Sequence, residues 1–319
     1  MSPFEPLIRN AHLATIASNF WPRYRELEQF PERAVRYETE PGVAVLVHEQ
    51  RPEGRCRGEL VLVHGLEGSS AGGYMLSMAY TALRAGFAVH RVNIRGCGGT
   101  ESWCRTLYHA GLTSDLHRIL ESIGGRAEGP ILLMGYSLGG NVVLKLTGEG
   151  GPQRATVAVS TPLDLHACVR ALGRPQCFLY QNRFINRMRE RLRERARLHP
   201  EVFAPLAERA ERERIRTVFD FDDRITAPFF GFGDAANYYA TQSAVNYLGR
   251  VTTPVLLITA QDDPLVPFAI YGHPAIGANP RIELVAPRHG GHVSFLAKGK
   301  PRFWLDAAAL GWLENYGNK

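Results

Sequence analysis

The sequence predicts an α/β fold in which helices cover both faces of a mostly parallel β-sheet. Runs of consecutive apolar residues alternate along the chain with longer segments whose apolar residues recur every three or four positions. Such runs are typical of strands buried on both faces, and the longer segments are typical of crossover helices. A Gly–x–Ser–x–Gly pattern at residues 135–139 lies where one of the apolar runs ends and one of the segments with helical spacing begins. Together these features indicate a parallel sheet with a functional turn at the end of one strand.

The predicted elements follow an irregular N-terminal arm, residues 1–35, which contains a short helix near residues 12–18. The predicted strands are Val43–Glu49, Leu60–Val63, Phe87–Val92, Ile131–Met134, Ala155–Ser160, Pro254–Thr259 and Arg281–Ala286. The predicted helices are Gly73–Arg84, Leu112–Ile123, the segment after Ser137, and Phe303–Tyr316. The first three helices thus separate strands that can pair in parallel, and the last closes the predicted fold.

One connection is much longer than a crossover requires. The predicted strands at 155–160 and 254–259 span residues 155–259, or 105 residues, of the chain. A complete strand–helix–strand unit needs only about 30 residues, so roughly 70 are surplus. We predict that approximately residues 164–245 form an inserted helical cap over the site. No internal repeat or low-complexity linker is visible, so residues 1–319 are predicted to form a single domain with this insertion.

The composition is that of an ordinary globular enzyme, with 45% hydrophobic and 21% charged residues. No apolar run approaches the ~20 residues of a membrane span. Residues 1–25 have no apolar core of the kind that a signal peptide requires. The five cysteines are an odd number without a Cys-x-x-Cys pair, which argues against a disulfide framework or a zinc site and favours a reducing cytoplasm. We expect neither a cofactor nor a metal.

Positive charge is concentrated in one segment. The net charge is +6, and residues 183–197 contain seven arginines against Glu190 and Glu194. A basic run of this kind is compatible with a nucleic-acid or membrane surface. However, Phe184, Met188 and Leu192 recur at helical spacing, so we favour an amphipathic helix whose apolar stripe faces the catalytic domain or lines an acyl pocket. Its arginines are predicted to face water. No nucleic-acid partner and no stable membrane insertion are expected; peripheral lipid contact and the oligomeric state stay open.

Ser137 is the candidate nucleophile. In a nucleophile elbow, a sharp strand-to-helix turn holds the serine hydroxyl clear of the sheet. Gly135 and Gly139 suit such a turn because the backbones pass too closely for a Cβ atom, and Ser137 itself is expected to have strained backbone angles.

A serine nucleophile needs a base and an acid, and two predicted strands end in suitable residues. Asp262 and Asp263 follow the strand at 254–259, and His289 and His292 follow the strand at 281–286. The order serine, acid, histidine is the one expected for such a sheet. One aspartate of the pair is expected to cap the turn before Pro264, and one histidine to bond to backbone. The residues alone do not choose between the members of each pair.

The oxyanion of the reaction needs two N–H donors. Leu138 follows the nucleophile and begins a helix, so its amide is one candidate. The second is the amide of Leu66, in the loop after the strand at 60–63, where Gly65 and Gly68 would let the backbone approach. We interpret His64 as a buried histidine that holds this loop.

Several motifs together resemble the α/β-hydrolase superfamily and, within it, the YheT-type esterases related to mammalian ABHD1 and ABHD3 proteins. They are Asn10–Ile16, His64–Gly68, Asn93–Gly99, Tyr108–Gly111, Gly135–Asn141, Tyr238–Tyr239 with Ser243, Asp262–Pro264 and His289–His292. The resemblance implies that Asp263 and His292 are the catalytic members of their pairs. Asn237 departs from the family pattern, which more often has an acidic residue before the two tyrosines.

The residues and the resemblance predict a serine hydrolase that cleaves carboxylic esters with short or medium acyl chains. Ser137 would attack, His292 would carry the proton, Asp263 would hold the imidazolium, and Leu66 and Leu138 would stabilise the oxyanion. Acyl transfer to an alcohol through the same acyl-enzyme is an alternative. A ligand-binding protein without catalysis is another, although it would have no need of all three side chains.

Overall fold

The computed structural model describes residues 3–21 and 26–318. Residues 1–2, 22–25 and 319 lie outside the described residues. The predicted N-terminal arm, and the residues considered above for a signal peptide, fall partly among them.

Eight strands form one sheet in the described chain, in the order β1-β2-β4-β3-β5-β6-β7-β8. They are β1 (Glu32–Glu40), β2 (Val43–Gln50), β3 (Glu59–Val63), β4 (Ala88–Val92), β5 (Ile131–Tyr136), β6 (Ala155–Val159), β7 (Val255–Ile258) and β8 (Ile282–Val285). β2 is antiparallel to β1 and β4, and the other neighbouring pairs are parallel. The strand order reverses between β3 and β5, and open α/β sheets bind ligands at such a reversal.

Helices separate the consecutive strands β3, β4, β5 and β6 as predicted, and the other helices lie before β1, between β6 and β7, and after β7. The helices are α1 (Ala11–Phe20), α2 (Gly73–Arg84), α3 (Ser114–Gly124), α4 (Leu138–Gly148), α5 (Leu165–Leu172), α6 (Phe178–Leu198), α7 (Pro200–Arg212), α8 (Val218–Phe221), α9 (Ala227–Phe229), α10 (Ala235–Gln242), α11 (Pro274–Ala278) and α12 (Trp304–Leu313). A π-helical segment, Asp222–Thr226, joins α8 to α9.

Two hydrophobic clusters cover the two faces of the sheet. Along β3, Leu60 and Leu62 belong to one cluster and Val61 and Val63 to the other. Successive side chains of a strand point to opposite faces, so a strand buried on both faces is apolar throughout. The cluster with Leu60 includes residues of α2 and α12, and the other includes residues of α3 and α4. The predicted α/β fold, a mostly parallel sheet between helices, is confirmed.

The prediction of an irregular segment up to residue 35 was wrong at its end, because β1 begins at Glu32. β1 is the last strand at one edge of the sheet and pairs only with β2. Its side chains are mostly exposed or half-buried and include charged residues throughout. An edge strand of this kind has no buried apolar run by which a sequence pattern could find it.

The long connection between β6 and β7 contains six helices, α5 to α10.

No helix of the described residues is long and apolar enough to cross a membrane. All five cysteines are buried and free.

Candidate active site

Ser137 lies on a sharp turn between β5 and α4, with backbone angles φ 52° and ψ −122°. A positive φ is unfavourable for a residue with a Cβ atom and persists only where the surroundings impose it. A Cβ on Gly135 would lie 2.4 Å from the carbonyl oxygen of Gly139, and a Cβ on Gly139 would lie 2.4 Å from the carbonyl oxygen of His64. The two glycines are therefore required by close backbone contact, as the sequence pattern predicts.

His292 and Asp263 extend from Ser137 in a continuous chain of hydrogen bonds. The Nε2 atom of His292 lies 3.0 Å from Ser137 Oγ, and its Nδ1 atom lies 2.8 Å from Asp263 Oδ2. The Asp263 carboxylate is buried, and its Oδ1 accepts hydrogen bonds from the amides of Leu265 and Val266 at 2.9 and 3.1 Å. With Nδ1–H donating to the carboxylate, Nε2 is left with a lone pair that faces the serine hydroxyl.

Asp262 and His289 form a second pair beside the first. His289 Nδ1 lies 3.0 Å from Asp262 Oδ2, and Asp262 Oδ1 accepts the amide of Gly291 at 3.0 Å. The His289 side chain is 40% exposed, against 12% for His292. His289 thus bonds to a carboxylate. The sequence had predicted a bond to backbone for one of the two histidines, so this prediction was wrong for His289. The pair braces the loop that carries His292.

Helix α1 supports the same loop from the other side. Thr15 Oγ1 accepts the amide of His292 at 2.9 Å, and Ser294 Oγ donates to the carbonyl of Ala14 at 2.9 Å. Gly291 has φ 62°, and a Cβ there would lie 2.7 Å from Thr15 Oγ1. The sequence alone does not predict this role for Thr15. The only signal was its place in the motif at residues 10–16.

The loop after β3 passes directly beside the serine. A Cβ on Gly65 would lie 3.0 Å from the Cβ of Ser137. The amides of Gly65 and Glu67 donate to the hydroxyls of Tyr74 and Tyr108 at 3.1 and 3.4 Å, and Glu67 has φ 55°. These bonds fix the backbone on both sides of Leu66. Tyr74 was not singled out from the sequence, and Tyr108 was named only as the first residue of the motif Tyr108–Gly111.

Leu138 is the first residue of α4. The first amides of an α-helix have no partner within the helix and carry the positive end of its dipole. The amide of Leu138 is therefore placed where a negative charge next to Ser137 would be favoured.

His64 links two loops of the site. Its Nε2 accepts the amide of Ile94 at 3.1 Å, so Nδ1 carries the proton and donates to the carbonyl of Gly65 at 2.8 Å. Burial lowers the pKa of His64 to about 4, which keeps the ring neutral near pH 7. This arrangement agrees with our interpretation of His64 as a residue that holds the loop.

Two spaces meet at Ser137 and His292. A mainly apolar cavity of about 140 Å³ lies between the loops of the sheet and helices α5, α6 and α8. Its apolar lining includes Leu165, Val169, Leu172, Met188, Leu192 and Val218. A wider space of about 590 Å³, here called the open groove, runs between α1, the start of α6 and the loop after β3.

Helix α6 is amphipathic, and the two predictions made for it have different outcomes. Phe184, Met188 and Leu192 line the cavity, as predicted. The prediction that its arginines face water was wrong for Arg191 and Arg195, which also line the cavity. They stand three positions after Met188 and Leu192, so they share the face of the apolar stripe.

The half-buried Arg191 and the buried Arg195 tie α6 to the loops of the site. Arg191 Nε donates to Glu67 at 2.9 Å, and its Nη1 donates to the carbonyl of Gly96 at 2.6 Å. Arg195 is 1% exposed and donates to the carbonyls of Thr106 and Gly96 at 3.1 and 3.2 Å. A buried guanidinium is tolerated only when such acceptors surround it.

Polar residues also occur in the cavity wall. Asp222, in the π-helical segment, accepts a hydrogen bond from the Tyr239 hydroxyl at 2.8 Å. Burial raises the pKa of Asp222 to about 6, because the charged form is poorly solvated there. Burial likewise lowers the pKa of His109 to about 3, so this ring is neutral near pH 7.

The described residues contain no group of three or more histidines, cysteines or carboxylates arranged to hold a metal ion.

Comparison with known proteins decides the family. A family model described as the α/β-hydrolase fold matches residues 59–298, which include Ser137, Asp263 and His292. The chain belongs to the α/β-hydrolase fold family. The resemblance stated from the motifs is confirmed.

Relatives within this family include proteins named for ester cleavage. YheT of Escherichia coli (strain K12), which is named as a presumptive esterase, is 31% identical over 317 residues, covering 96% of this chain and 91% of YheT. The phospholipase ABHD3 of Mus musculus is 28% identical over 250 residues, covering 77% of this chain and 60% of ABHD3. The solved structure of the esterase Pf2001 from Pyrococcus furiosus has the same fold, with a TM-score of 0.62 and 17% identity, covering 92% of this chain and 98% of that one.

Proposed function

We propose that the protein is a serine hydrolase that cleaves carboxylic esters with short or medium acyl chains. The observation that carries this proposal is the hydrogen-bonded chain from Ser137 through His292 to Asp263, at 3.0 and 2.8 Å. The names of its relatives YheT and ABHD3 support an ester as the substrate.

In the first half of the reaction, Ser137 Oγ attacks the ester carbonyl carbon while its proton passes to Nε2 of His292. The buried Asp263 carboxylate stabilises the imidazolium that forms. The carbonyl oxygen becomes an oxyanion, which accepts hydrogen bonds from the amides of Leu66 and Leu138. When the intermediate collapses, the C–O bond of the ester breaks and Nε2 returns the proton to the leaving alcohol.

In the second half, water replaces the alcohol. His292 takes a proton from water, the hydroxide attacks the acyl-enzyme, and the carboxylic acid leaves as Ser137 regains its proton. If an alcohol attacks instead of water, a new ester forms by the same steps. Product analysis with added ethanol separates the two reactions, because only acyl transfer yields an ethyl ester.

The two spaces at the site suggest how an ester is placed. The apolar cavity suits the acyl chain, and the open groove suits the alcohol part. A cavity of roughly 150 Å³ holds a benzene molecule, so a cavity of similar size suits an acyl chain of about four to eight carbons. Residues 164–245, which supply most of the helices over this cavity, would act as a cap that sets the chain length.

The proposed partner is a small-molecule ester, without nucleic acid. Cytoplasmic location, which the unpaired cysteines suggest, stays a prediction.

Hydrolysis of a series of p-nitrophenyl esters with increasing acyl length tests the function. We expect the highest kcat/KM at about four to eight carbons, falling for longer chains because they exceed the cavity. Val169 lines the cavity from α5 and offers a matched pair of variants. Val169→Ala should move the optimum to longer chains, and Val169→Phe to shorter ones. An absence of ester hydrolysis would contradict the function, and an unchanged profile in both variants would contradict the assignment of the cavity.

The choice between the two aspartates has its own test. Asp263→Asn should lower kcat about 10⁴-fold, since the amide favours the His292 tautomer that cannot accept the serine proton. Asp262→Asn keeps an oxygen for the amide of Gly291 and does not touch His292, so its loss should stay below about tenfold. Steady-state kinetics of both variants measure the difference. If Asp262→Asn shows the larger loss of kcat, the catalytic acid has been assigned to the wrong residue.

A further inference from the structure

The exposed apolar side chains of the protein are concentrated at one place. Seven large apolar side chains are exposed in the described residues, and five of them lie on α1 or at the start of α6. These five, here called the apolar rim, are Leu13 (60% exposed), Ile16 (38%), Phe20 (80%), Phe178 (64%) and Leu179 (68%). Single exposed apolar residues are normal, but a cluster marks an interaction site.

The two segments of the apolar rim form one surface. Leu13, Ile16 and Phe20 are spaced by three and four positions, so they share one face of α1. The rings of His12 on α1 and Tyr180 on α6 stack with centroids 5.8 Å apart. This contact brings the two segments together, and Ile16, Phe20 and Leu179 from both segments line one groove.

The apolar rim borders the route to the proposed nucleophile. Ile16, Phe20 and Leu179 line the open groove, which also reaches Ser137 and His292. Whatever covers the rim therefore lies at the opening through which an ester would reach the serine.

The charge beside the rim is positive. Arg183 and Arg187 are exposed, line the same groove, and form no ion pair within the described residues. Glu67 and Glu101 also line it, but both are paired with Arg191 at 2.9 and 3.1 Å. The charged side chains that line the groove are thus three arginines and two glutamates, which sum to +1.

We propose that the apolar rim, together with Arg183 and Arg187, docks the protein onto the surface of an anionic lipid assembly. Apolar side chains that enter the headgroup region, flanked by basic residues, are the features by which proteins lie on such surfaces. A protein partner seated here would block the groove, whereas a lipid surface itself presents ester-bearing molecules to it. This last argument rests on the proposed function.

The structure separates this surface from the other arginines of α6. Arg189 and Arg193 both pair with Glu211, and Arg197 pairs with Glu194. These three are not among the residues that line the open groove. Replacing these three arginines removes three positive charges outside the groove, compared with two when Arg183 and Arg187 are replaced. The three therefore provide a control for a general effect of charge.

Vesicle flotation of the full-length protein tests the proposal, with Ser137→Ala present in every sample so that no lipid is consumed. The vesicles are pure phosphatidylcholine or an equal mixture with phosphatidylglycerol, at low and physiological salt. We expect binding to the mixed vesicles that weakens with salt. Arg183→Gln with Arg187→Gln should weaken it about twenty-five-fold, or about fivefold for each charge. Leu13→Ser, Phe20→Ser and Phe178→Ser together should weaken it more than about tenfold.

The control triple variant Arg189→Gln, Arg193→Gln and Arg197→Gln should bind within about twofold of the parent protein. Thermal unfolding of each variant shows that it is folded. Absence of vesicle binding by the parent, or equal binding by all variants, would overturn the proposal. A concentration-dependent dimer that the rim variant loses, without vesicle binding, would assign the rim to a second copy of the chain instead. Because flotation needs no turnover, failure of the esterase function would leave this result unaffected.

Discussion

Replacing Ser137 with alanine is expected to reduce the turnover of a p-nitrophenyl ester by about 10⁶-fold. The variant loses the hydroxyl oxygen that His292 Nε2 faces at 3.0 Å. Alanine keeps the Cβ atom, so the strained backbone at φ 52° is not relieved and the loss reports on chemistry rather than on folding. The residual rate would come from substrate binding and from the two amide donors.

Steady-state kinetics of the purified variant measure this loss, together with its thermal unfolding. Ser122→Ala is a matched control, because Ser122 is an exposed serine on α3. The control should keep the full rate. Turnover of Ser137→Ala within about tenfold of the wild type would be incompatible with a serine nucleophile at this position.

Replacing His292 with alanine is expected to lower kcat about 10⁴-fold or more, and replacing His289 should cost much less. His292 alone of the two bonds to Ser137, and it also contacts the buried Asp263 carboxylate. His289 is bonded to Asp262, whose other oxygen still holds the amide of Gly291 when the ring is removed. The loop should therefore keep its shape in His289→Ala.

The same kinetic assay, applied to both variants across a range of pH, measures the ranking. A larger loss in His289→Ala than in His292→Ala would reverse the assignment of the base.

The buried strands could be predicted closely, whereas β1 could not. β3 and β5 are completely buried and read as uninterrupted apolar runs. β1 lies at the edge, and its charged residues at positions 32, 33, 36, 38 and 40 leave it without a buried apolar run. β1 is a strand because it pairs antiparallel with β2 across the turn at Pro41 and Gly42, and not because its own residues form an apolar run.

The arginines of α6 show why a charge run is difficult to interpret. Helical spacing places Arg191 and Arg195 on the same face as Met188, so the pattern alone could have raised the question. Their burial depends on acceptors at Glu67 and Gly96, about a hundred residues earlier in the chain. Nothing local to the helix indicates those acceptors.

The aspartate pair shows a related limit. We expected one aspartate to cap the turn before Pro264 and the other to face the histidine. Asp263 does both, because one oxygen accepts the amides of Leu265 and Val266 while the other faces His292. Both aspartates precede the same turn, and only the position of the histidine loop separates them.

Labelling with a fluorophosphonate tests the central claim most directly, because the reagent forms a covalent bond with an activated serine. The wild-type protein should gain one adduct, and peptide mapping by mass spectrometry should place it on Ser137. Ser137→Ala should gain none under the same conditions, while Ser122→Ala should be labelled like the wild type. Equal labelling of the wild type and Ser137→Ala, or an adduct on a different residue, would contradict the assignment of Ser137 as the nucleophile.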